Sequence, residues 1–224
     1  MEESPLPFTE KQWSHTMRYD GAPVLLLTIH RPAFPDTGKT ARLERYFSRL
    51  EQQWKQRWET VLYPKACHAK NDAAKNGCIF LPWQAKLNYQ ITLWHPPRIS
   101  LRLDAEESAL SGIPDLFCMG ETWDCSAGYP CPLRSFFPPK AVHWRKILLD
   151  EIRSSAEQHL TSGESLLDPN CTQIMERTFD PDRFYLTEEG GVIFYPQGIL
   201  GSRAEGIPTF PFSLPDFQTN TFSS

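Results

Sequence analysis

The most constraining feature of the sequence is the run of residues 183–214, in which two β-prone segments flank a glycine-containing turn. Phe184–Thr187 and residues 192–195 are rich in aromatic and β-branched side chains, which is typical of strands. Residues 188–191 end in two glycines, and glycine forms tight turns because it accepts positive φ angles without a Cβ clash. After an irregular connection, residues 207–212 alternate large apolar residues with proline and threonine. This run predicts a small sheet around which the rest of the chain packs.

Two other segments repeat apolar residues at helical spacing. Residues 40–62 place apolar side chains at steps of three and four, on one face of a predicted amphipathic helix. The stripe consists of Leu43, Phe47, Leu50, Trp54, Trp58 and Val61. Residues 140–160 predict a second helix in the same way, whereas Tyr63-Pro64 breaks or kinks the first one. We interpret the aromatic stripe as part of the core rather than as a cofactor site.

Shorter strands and irregular segments are predicted around these helices. The strand candidates are residues 23–31, 78–85, 87–94 and 99–103. The least regular segment is 109–139, where strand character is limited to residues 122–126 and 133–137. Residues 1–18 are expected to form a loose arm, and the polar residues from Pro215 onward are expected to fray.

The charge balance argues against a nucleic-acid-binding role. The 224 residues carry 23 Lys and Arg against 27 Asp and Glu, so the formal net charge is −4, whereas nucleic-acid binders present a basic face. Acidic residues interrupt the basic residues between Lys39 and Lys75, which is typical of a solvated helix face. A chain of this length buries about 70% of its unfolded surface, so it requires neither a metal nor a disulfide to fold.

The first residues determine the expected compartment. Residues 1–21 are acidic and polar, without the basic start and apolar core of a signal peptide. The longest apolar run, residues 24–27, is far shorter than a membrane-spanning helix. We therefore expect a cytoplasmic protein without a membrane span and with free thiols at its cysteines. These are Cys67, Cys78, Cys118, Cys125, Cys131 and Cys171.

The carboxyl-terminal run resembles the closing segment of the RsiV-type domain family. This family, largely of unknown function, forms the extracytoplasmic domain of the bacterial anti-sigma factor RsiV and also occurs in the peptidoglycan deacetylase PdaC. The matching residues are Phe184, Tyr185, Leu186, Thr187, Gly190, Val192, Tyr195, Gly206, Ile207, Pro208 and Phe210. Weaker matches at residues 45–47 and at Ser100-Leu101 extend the resemblance over most of residues 20–214. The Gly-Gly-Ala-His motif of the family has no counterpart, since residues 111–114 read Ser-Gly-Ile-Pro.

The patterns together predict an α+β fold, with a mainly antiparallel sheet or sheets packed by the two main amphipathic helices. The resemblance implies that this fold forms two closely joined lobes. The expected organisation is a flexible arm over residues 1–18, an N-terminal α+β lobe over 19–112, a C-terminal RsiV-type lobe over 113–214 and a polar tail over 215–224. The resemblance also implies a non-catalytic binding domain, because relatives bind a protein (lysozyme, for RsiV) or are proposed to engage the cell wall.

The candidate ligand-binding residues are Trp123, Tyr129 and Arg134. They lie in the irregular middle segment, where loops are expected to be carried on the sheet, and aromatic residues and arginine are favoured in binding cores. The alternative, that these side chains close the hydrophobic core, stays open. The expected ligand is a protein or a cell-wall fragment.

The alternative function is a small hydrolase that acts on cell-wall glycan or peptide. Its candidate acids are Asp104, Glu107 and Asp124, since a glycosidase needs two opposed carboxyl groups. Neither a phosphate-binding glycine motif nor a serine nucleophile elbow is present in the sequence, and no cofactor is expected.

A metal site is not expected either. The spacers between Cys118, Cys125 and Cys131 are longer than the two to four residues that structural zinc sites prefer, and no histidine lies among them. Cys125 and Cys131 flank a turn, across which they would be able to bridge if oxidised.

Overall fold

The computed structural model describes residues 8–109, 112–163 and 165–214. Across these residues the chain forms a six-stranded sheet, a second sheet of three strands and a few helices, which confirms the predicted α+β class. Residues 1–7 of the expected arm and the expected tail, 215–224, lie outside the described residues.

The strands of the described ranges are β1 (Thr9–Tyr19), β2 (Ala22–Ala33), β3 (Trp83–His95), β4 (Arg98–Ser108), β5 (Asp115–Asp124), β6 (Tyr129–Pro130), β7 (Phe184–Thr187), β8 (Gly190–Phe194) and β9 (Thr209–Phe212). Their order is β1-β2-β3-β4-β5-β6 in the large sheet and β7-β8-β9 in the small one. The pairs β1–β2, β5–β6, β7–β8 and β8–β9 are antiparallel, whereas β2 and β3 are parallel.

The parallel pair requires a crossover connection, and helices supply it. The connection begins as α1 (Ala41–Arg57), passes through a π-helical turn at Trp58–Leu62 and continues as α2 (Tyr63–Lys75). The π turn comes just before Pro64, which cannot donate a helical hydrogen bond. The backbone stays helical through both turns, so the predicted break at Tyr63-Pro64 does not occur. The later helices are α3 (Trp144–Ser162) and α4 (Cys171–Thr178).

The structure differs from the expected loose arm at residues 9–18, which belong to β1. Asp20 and Gly21 have φ angles of 47° and 76°, and two residues with positive φ form the tight turn that joins antiparallel strands. The turn brings the two strands side by side, and β1 pairs with β2 along the whole length of β1.

Two further predictions of secondary structure are wrong. Residues 78–85 and 87–94 do not form two strands, because a single strand, β3, starts only after Pro82. Residues 133–136 form a 3-10 helix instead of a strand. The N–H and the hydroxyl of Ser135 both donate to the carbonyl of Pro132, at 2.9 and 2.7 Å, and these bonds close the helical turn.

The chain divides into two compact units. The first comprises the described residues within Met1–Tyr89, Asp104–Leu116 and Cys125–Gly128, and the second those within Gln90–Leu103, Phe117–Asp124 and Tyr129–Ser224. The lobes expected at 19–112 and 113–214 stay a prediction.

The first unit encloses a charged cluster between β2 and α1. Arg31 is 2% exposed, and its guanidinium donates to Glu44 and to Glu51, each at 2.8 Å. Lys11 and Lys55 also form ion pairs with Glu51. Burial opposes ionisation of Glu51, but the hydrogen bonds from Lys55, Arg31 and Lys11 outweigh it and lower its pKa to about 2. The cluster therefore joins β1, β2 and α1 through one carboxylate.

We expect the change Glu51→Gln to lower the free energy of unfolding by about 3 kcal/mol at neutral pH, because it leaves the buried guanidinium of Arg31 short of a partner. The folded-state pKa of Glu51 lies below its ordinary value of 4.5, so its ionisation stabilises the fold above that pH. This stabilisation is lost as the pH falls from 4.5 towards 2, and the difference between the two proteins should shrink across that window.

Denaturant unfolding at several pH values measures this difference. The matched control is Glu59→Gln, at an exposed carboxylate of the π-helical turn, which should change stability by less than about 0.5 kcal/mol. A difference between parent and Glu51→Gln that stays constant from neutral to acidic pH would contradict the assigned role.

The predicted hairpin lies in the second unit and is confirmed, although its turn is shorter than expected: Glu188 and Glu189 form it, and the two glycines begin β8. Phe184 pairs with Ile193 and Thr187 with Gly190, and β9 adds to the other side of β8. The apolar side of α3 and this sheet share one core. Its members on these elements include Leu148, Ile152, Ala156, Leu186, Ile193 and Phe210.

Within this unit, β7 approaches β5 so closely that only glycine fits. A Cβ atom on Gly120 would lie 1.8 Å from the carbonyl oxygen of Phe184. Nearby, the Ser100 hydroxyl accepts a hydrogen bond from the N–H of Leu186 at 2.8 Å and lies 2.9 Å from the hydroxyl of Thr122. Ser100 thus ties β4, β5 and β7 together, which accounts for a serine at this buried position.

We expect Gly120→Ala to lower the free energy of unfolding by about 3 kcal/mol, because the new methyl group forces the backbone of β7 away from β5. The control is Gly163→Ala at the end of α3, where the Cβ meets open space but φ is +74°. That change should cost about 1 kcal/mol. Equal losses of stability in the two variants, measured by denaturant unfolding, would rule out the close contact.

Candidate functional site

The segment that leads into α3 is held by one arginine. Arg134 donates hydrogen bonds to the carbonyl oxygens of Phe137, Pro138 and Pro139, each at 3.0 Å. Its guanidinium carbon also lies 5.9 Å from the centroid of the Trp144 ring. Because a guanidinium offers five N–H donors in a fixed plane, one side chain can fix three consecutive carbonyl groups.

An apolar groove of 340 Å³ lies along α3. It is lined by Phe137, Pro138, Ala141, Trp144, Ile147, Leu148, Glu151, Ser213 and Leu214. The ring of Phe137 packs against those of Trp144 and Phe212, with centroid distances of 5.1 and 6.4 Å. Glu151 accepts hydrogen bonds from the N–H and the hydroxyl of Ser213, at 2.9 and 2.8 Å. These contacts fix both walls of the groove.

Two exposed apolar side chains belong to the same part of the surface. Val142 is 80% exposed and Ile147 is 62% exposed. Ile147 lines the apolar groove, and Val142 lies in the segment just before α3. Their neighbours Leu148 and Leu149 point into the core. Apolar groups that stay in water beside a preformed groove are typical of an interaction site.

A second groove along α3, of 440 Å³, has a charged lining in which Arg145, Lys146 and Arg153 outnumber two carboxylates. Its residues are Val142, His143, Arg145, Lys146, Leu149, Asp150, Arg153 and Glu176. Of its acidic residues, Glu176 lies 3.9 Å from Arg153. The first turn of α3 contains Arg145 and Lys146 and no acidic residue. These two cations add to the positive end of the helix dipole. We call the two grooves together with Val142 and Ile147 the α3 surface.

The sequence patterns did not single out Val142 or Ile147 as surface residues. A signal was present, because Ile147 falls outside the four-residue repeat of Trp144, Leu148 and Ile152 that marks the buried face. Which of these faces is covered depends on the position of the small sheet, and the helix sequence does not contain that information.

The three predicted ligand-binding residues occupy different environments. Arg134 does not line the apolar groove, but it holds the carbonyl groups of Phe137 and Pro138, which do. Trp123 lies in β5, is 5% exposed and donates from its indole nitrogen to Glu121 at 3.1 Å. Tyr129 lies in β6 and is 56% exposed. A ligand-binding role for these three residues stays a prediction.

A cleft of 510 Å³ lies beside β5 and β6. It is lined by Gly120, Glu121, Thr122, Pro130, Cys131, Pro132, Asp182 and Phe184. Burial raises the pKa of the Cys131 thiol, so the thiolate needed for nucleophilic chemistry is disfavoured. The six cysteines, all within the described residues, form no disulfide, so the bridge considered between Cys125 and Cys131 is not formed.

One candidate acid of the hydrolase alternative, Glu107, already forms an ion pair. Glu107 is buried, and both of its carboxylate oxygens accept hydrogen bonds from Arg57, at 2.7 and 3.0 Å. A carboxylate held in this way is poorly placed to exchange protons with a substrate. Asp104 belongs to the same unit as Glu107, and Asp124 belongs to the other.

In the part of the chain that the structure describes, no group of three or more His, Cys, Asp or Glu side chains is placed to hold a metal ion. No helix within the described ranges combines the length and the apolar character needed to cross a membrane.

Comparison with known proteins places the α3 surface inside a recognised sequence region. Residues 135–214 match the sequence model of a family described as "Protein of unknown function (DUF3298)". This region contains α3, α4 and the three-stranded sheet. No curated protein matches the chain.

Two solved structures share the fold over most of the chain. A member of the DUF3298 family from Bacteroides fragilis NCTC 9343 has a TM-score of 0.62 and 13% identity, covering 92% of this chain and 89% of its own. A DUF3298 family protein from Pseudomonas aeruginosa PAO1 has a TM-score of 0.59 and 14% identity, covering 94% of this chain and 91% of its own. At such identities the likeness concerns the fold, and function must be argued from the site.

We expect Arg134→Ala to release the carbonyl groups of residues 137–139 and to lower the free energy of unfolding by about 2 kcal/mol. Amide hydrogen exchange at residues 140–144 should become faster, because the segment that opens α3 loses its anchor. Arg134→Lys should recover only part of the loss, since an ammonium group lacks the planar fork.

The matched control for this prediction is Arg49→Ala, at an exposed position of α1. It should leave both stability and exchange at residues 140–144 unchanged. Unaltered exchange in Arg134→Ala would show that the arginine does not hold the segment.

Proposed function

We propose that this chain is a non-catalytic binding domain of the RsiV type, that its ligand is a protein, and that the α3 surface binds it. The observation that carries the proposal is the position of an apolar groove and the exposed Val142 and Ile147 next to a charged groove, which contributes Arg145 and Lys146 on the same helix. An apolar centre with a polar, charged rim is the usual composition of a protein-binding site.

The ligand that fits this surface combines apolar with acidic side chains. The apolar groove has room for one or two apolar side chains, since its volume of 340 Å³ lies at the lower end of the range for ligand pockets. His143, Arg145 and Lys146 favour carboxylates in the rim, and Lys140 precedes them on the exposed segment before α3. The formal net charge of the chain is −4, so this basic character is local.

The sequence comparisons support a binding role for residues 135–214. Residues 135–214, the part that matches the DUF3298 family, contain the whole lining of both grooves. The RsiV-type resemblance implies binding without catalysis, and the ion pair of Glu107 with Arg57 argues against Glu107 as one of the acids of a hydrolase.

A cell-wall fragment is the second ligand that the resemblance implies, and the cleft beside β5 and β6 would accept it. Its volume of 510 Å³ suits a small ligand, and Glu121 and Asp182 offer acceptors for hydroxyl groups. Tyr129 stands exposed on the adjoining strand β6. Binding there would be sensitive to Tyr129→Ala and insensitive to changes on the α3 surface.

Four probes test the proposal by titration: an amphipathic peptide of leucine, phenylalanine and glutamate, its counterpart with lysine for every glutamate, lysozyme, and soluble peptidoglycan fragments. We expect the acidic peptide to bind and the basic peptide to bind at least about tenfold more weakly, because the rim is positive. The double change Val142→Ser and Ile147→Ser should weaken binding by about tenfold or more, through lost apolar contact.

The control change is Ile79→Ser, at a residue of the first unit that is 90% exposed, and it should leave binding unaltered. A thermal melt of each variant checks that it is folded. Failure of all four probes to bind, or equal binding of the acidic and basic peptides, would contradict the proposal. Peptidoglycan binding that depends only on Tyr129 would transfer the function to the cleft beside β5 and β6.

A further inference from the structure

The first strand of the large sheet has a free side. β1 stands at the end of the strand order and pairs with β2, and among the described residues no strand pairs with its other side. It is 11 residues long and contains no proline. The pairing of β1 with β2 has a β-bulge near Met17, where Val24 of β2 has no partner residue. The extra residue of the bulge therefore belongs to β2, and β1 itself is regular. Such an edge presents a row of N–H and C=O groups to any strand that can align with it.

One face of β1 is already held by the first unit. Lys11 pairs with Glu51 at 3.1 Å, and the amino group of Lys55 lies 4.0 Å from the centroid of the Trp13 ring. Because side chains alternate along a strand, Glu10 and Arg18 lie on the opposite face, and both are exposed. The strand is therefore fixed in position. Its last residues are also held by α2, since the carbonyl oxygens of Arg18 and Tyr19 accept hydrogen bonds from Tyr63 and Lys70 at 2.8 and 2.6 Å. Along residues 9–17, no strand of the described ranges covers the outer edge.

The order of the side chains on β1 is complementary to itself. In an antiparallel pair of two copies centred on Ser14, Glu10 of each copy lies opposite Arg18 of the other. Trp13 lies opposite His15 and Lys11 opposite Met17, so no like charges face each other. The two-fold symmetry of such a pair repeats each favourable contact. A parallel pair in register would instead place Glu10, Lys11 and Arg18 against their own copies.

We propose that β1 is a self-association edge, which pairs antiparallel with β1 of a second copy of this chain in the register centred on Ser14. The pairing joins two six-stranded sheets into one continuous sheet. It is independent of the α3 surface, which belongs to the second unit. A contact of two strands is small, so the dimer is expected to be in concentration-dependent exchange with the monomer.

Charge reversal tests the register. Glu10→Arg places arginine opposite arginine twice, and Arg18→Glu places glutamate opposite glutamate twice. Each single change should weaken the dimer at least about tenfold in sedimentation velocity over a concentration series. The double change Glu10→Arg with Arg18→Glu restores opposite charges and the parent net charge, so it should restore the dimer. Lys146→Glu on α3 is the control and should leave the dimer unaltered.

A cysteine pair gives a second measurement that does not depend on charge. In the proposed register the two copies of residue 14 face each other at the Cα distance of paired strands, which a disulfide can span. Ser14→Cys should therefore form a covalent dimer under mild oxidation beyond the background of the parent protein. Thr16→Cys should not, because the same residue of the second copy lies several residues away along the strand.

Three results would overturn the proposal. The first is a parent protein that stays monomeric at every concentration, which would mean that something other than a second copy covers the edge. The second is a dimer that the single charge reversals leave intact. The third is a folded double variant, judged by its thermal melt, that fails to recover the dimer.

Discussion

The close approach of β7 to β5 at Gly120 is the constraint on which the second unit depends. The carbonyl group of Phe184 occupies the space that a Cβ would need, and Ser100 accepts the neighbouring N–H of Leu186. These contacts position β7, and β8 and β9 follow by antiparallel pairing. Since α3 shares its core with this sheet, the face of α3 that meets water is decided by the same contact.

The first unit depends on charge rather than on close backbone contact. Arg31 lies in the interior between β2 and α1, and two carboxylates neutralise it. Glu51 also receives Lys11 of β1, so the first strand is attached through its side chains as well as through the backbone of β2. Replacing a whole buried ion pair by apolar residues is often neutral for stability, whereas removing one partner is costly, so the pair defines which residues must face each other. The consequence is an edge strand with a fixed position, and no other strand of the described ranges pairs with its outer side.

The two surfaces with proposed roles differ in what the sequence could reveal. The turn at Asp20 and Gly21 is a local signal for a hairpin, and it would have identified β1 as a strand. The α3 surface has no comparable local signal, because Val142 and Ile147 differ from buried residues only in which neighbours cover them. Trp123 illustrates the same limit, since its aromatic character is equally suited to a binding site and to its buried position on β5.

The sequence by itself determined the hairpin of β7 and β8, the apolar stripes of α1 and α3 and the α+β class. Each of these follows from propensity and periodicity within a short stretch of chain. Only the tertiary structure decided that Glu107 is held by Arg57, 50 residues away, and that Gly120 lies against Phe184. It also decided that Ile147 stays in water. These outcomes depend on which distant segments meet, and no local pattern encodes the contacts between residues far apart in the chain.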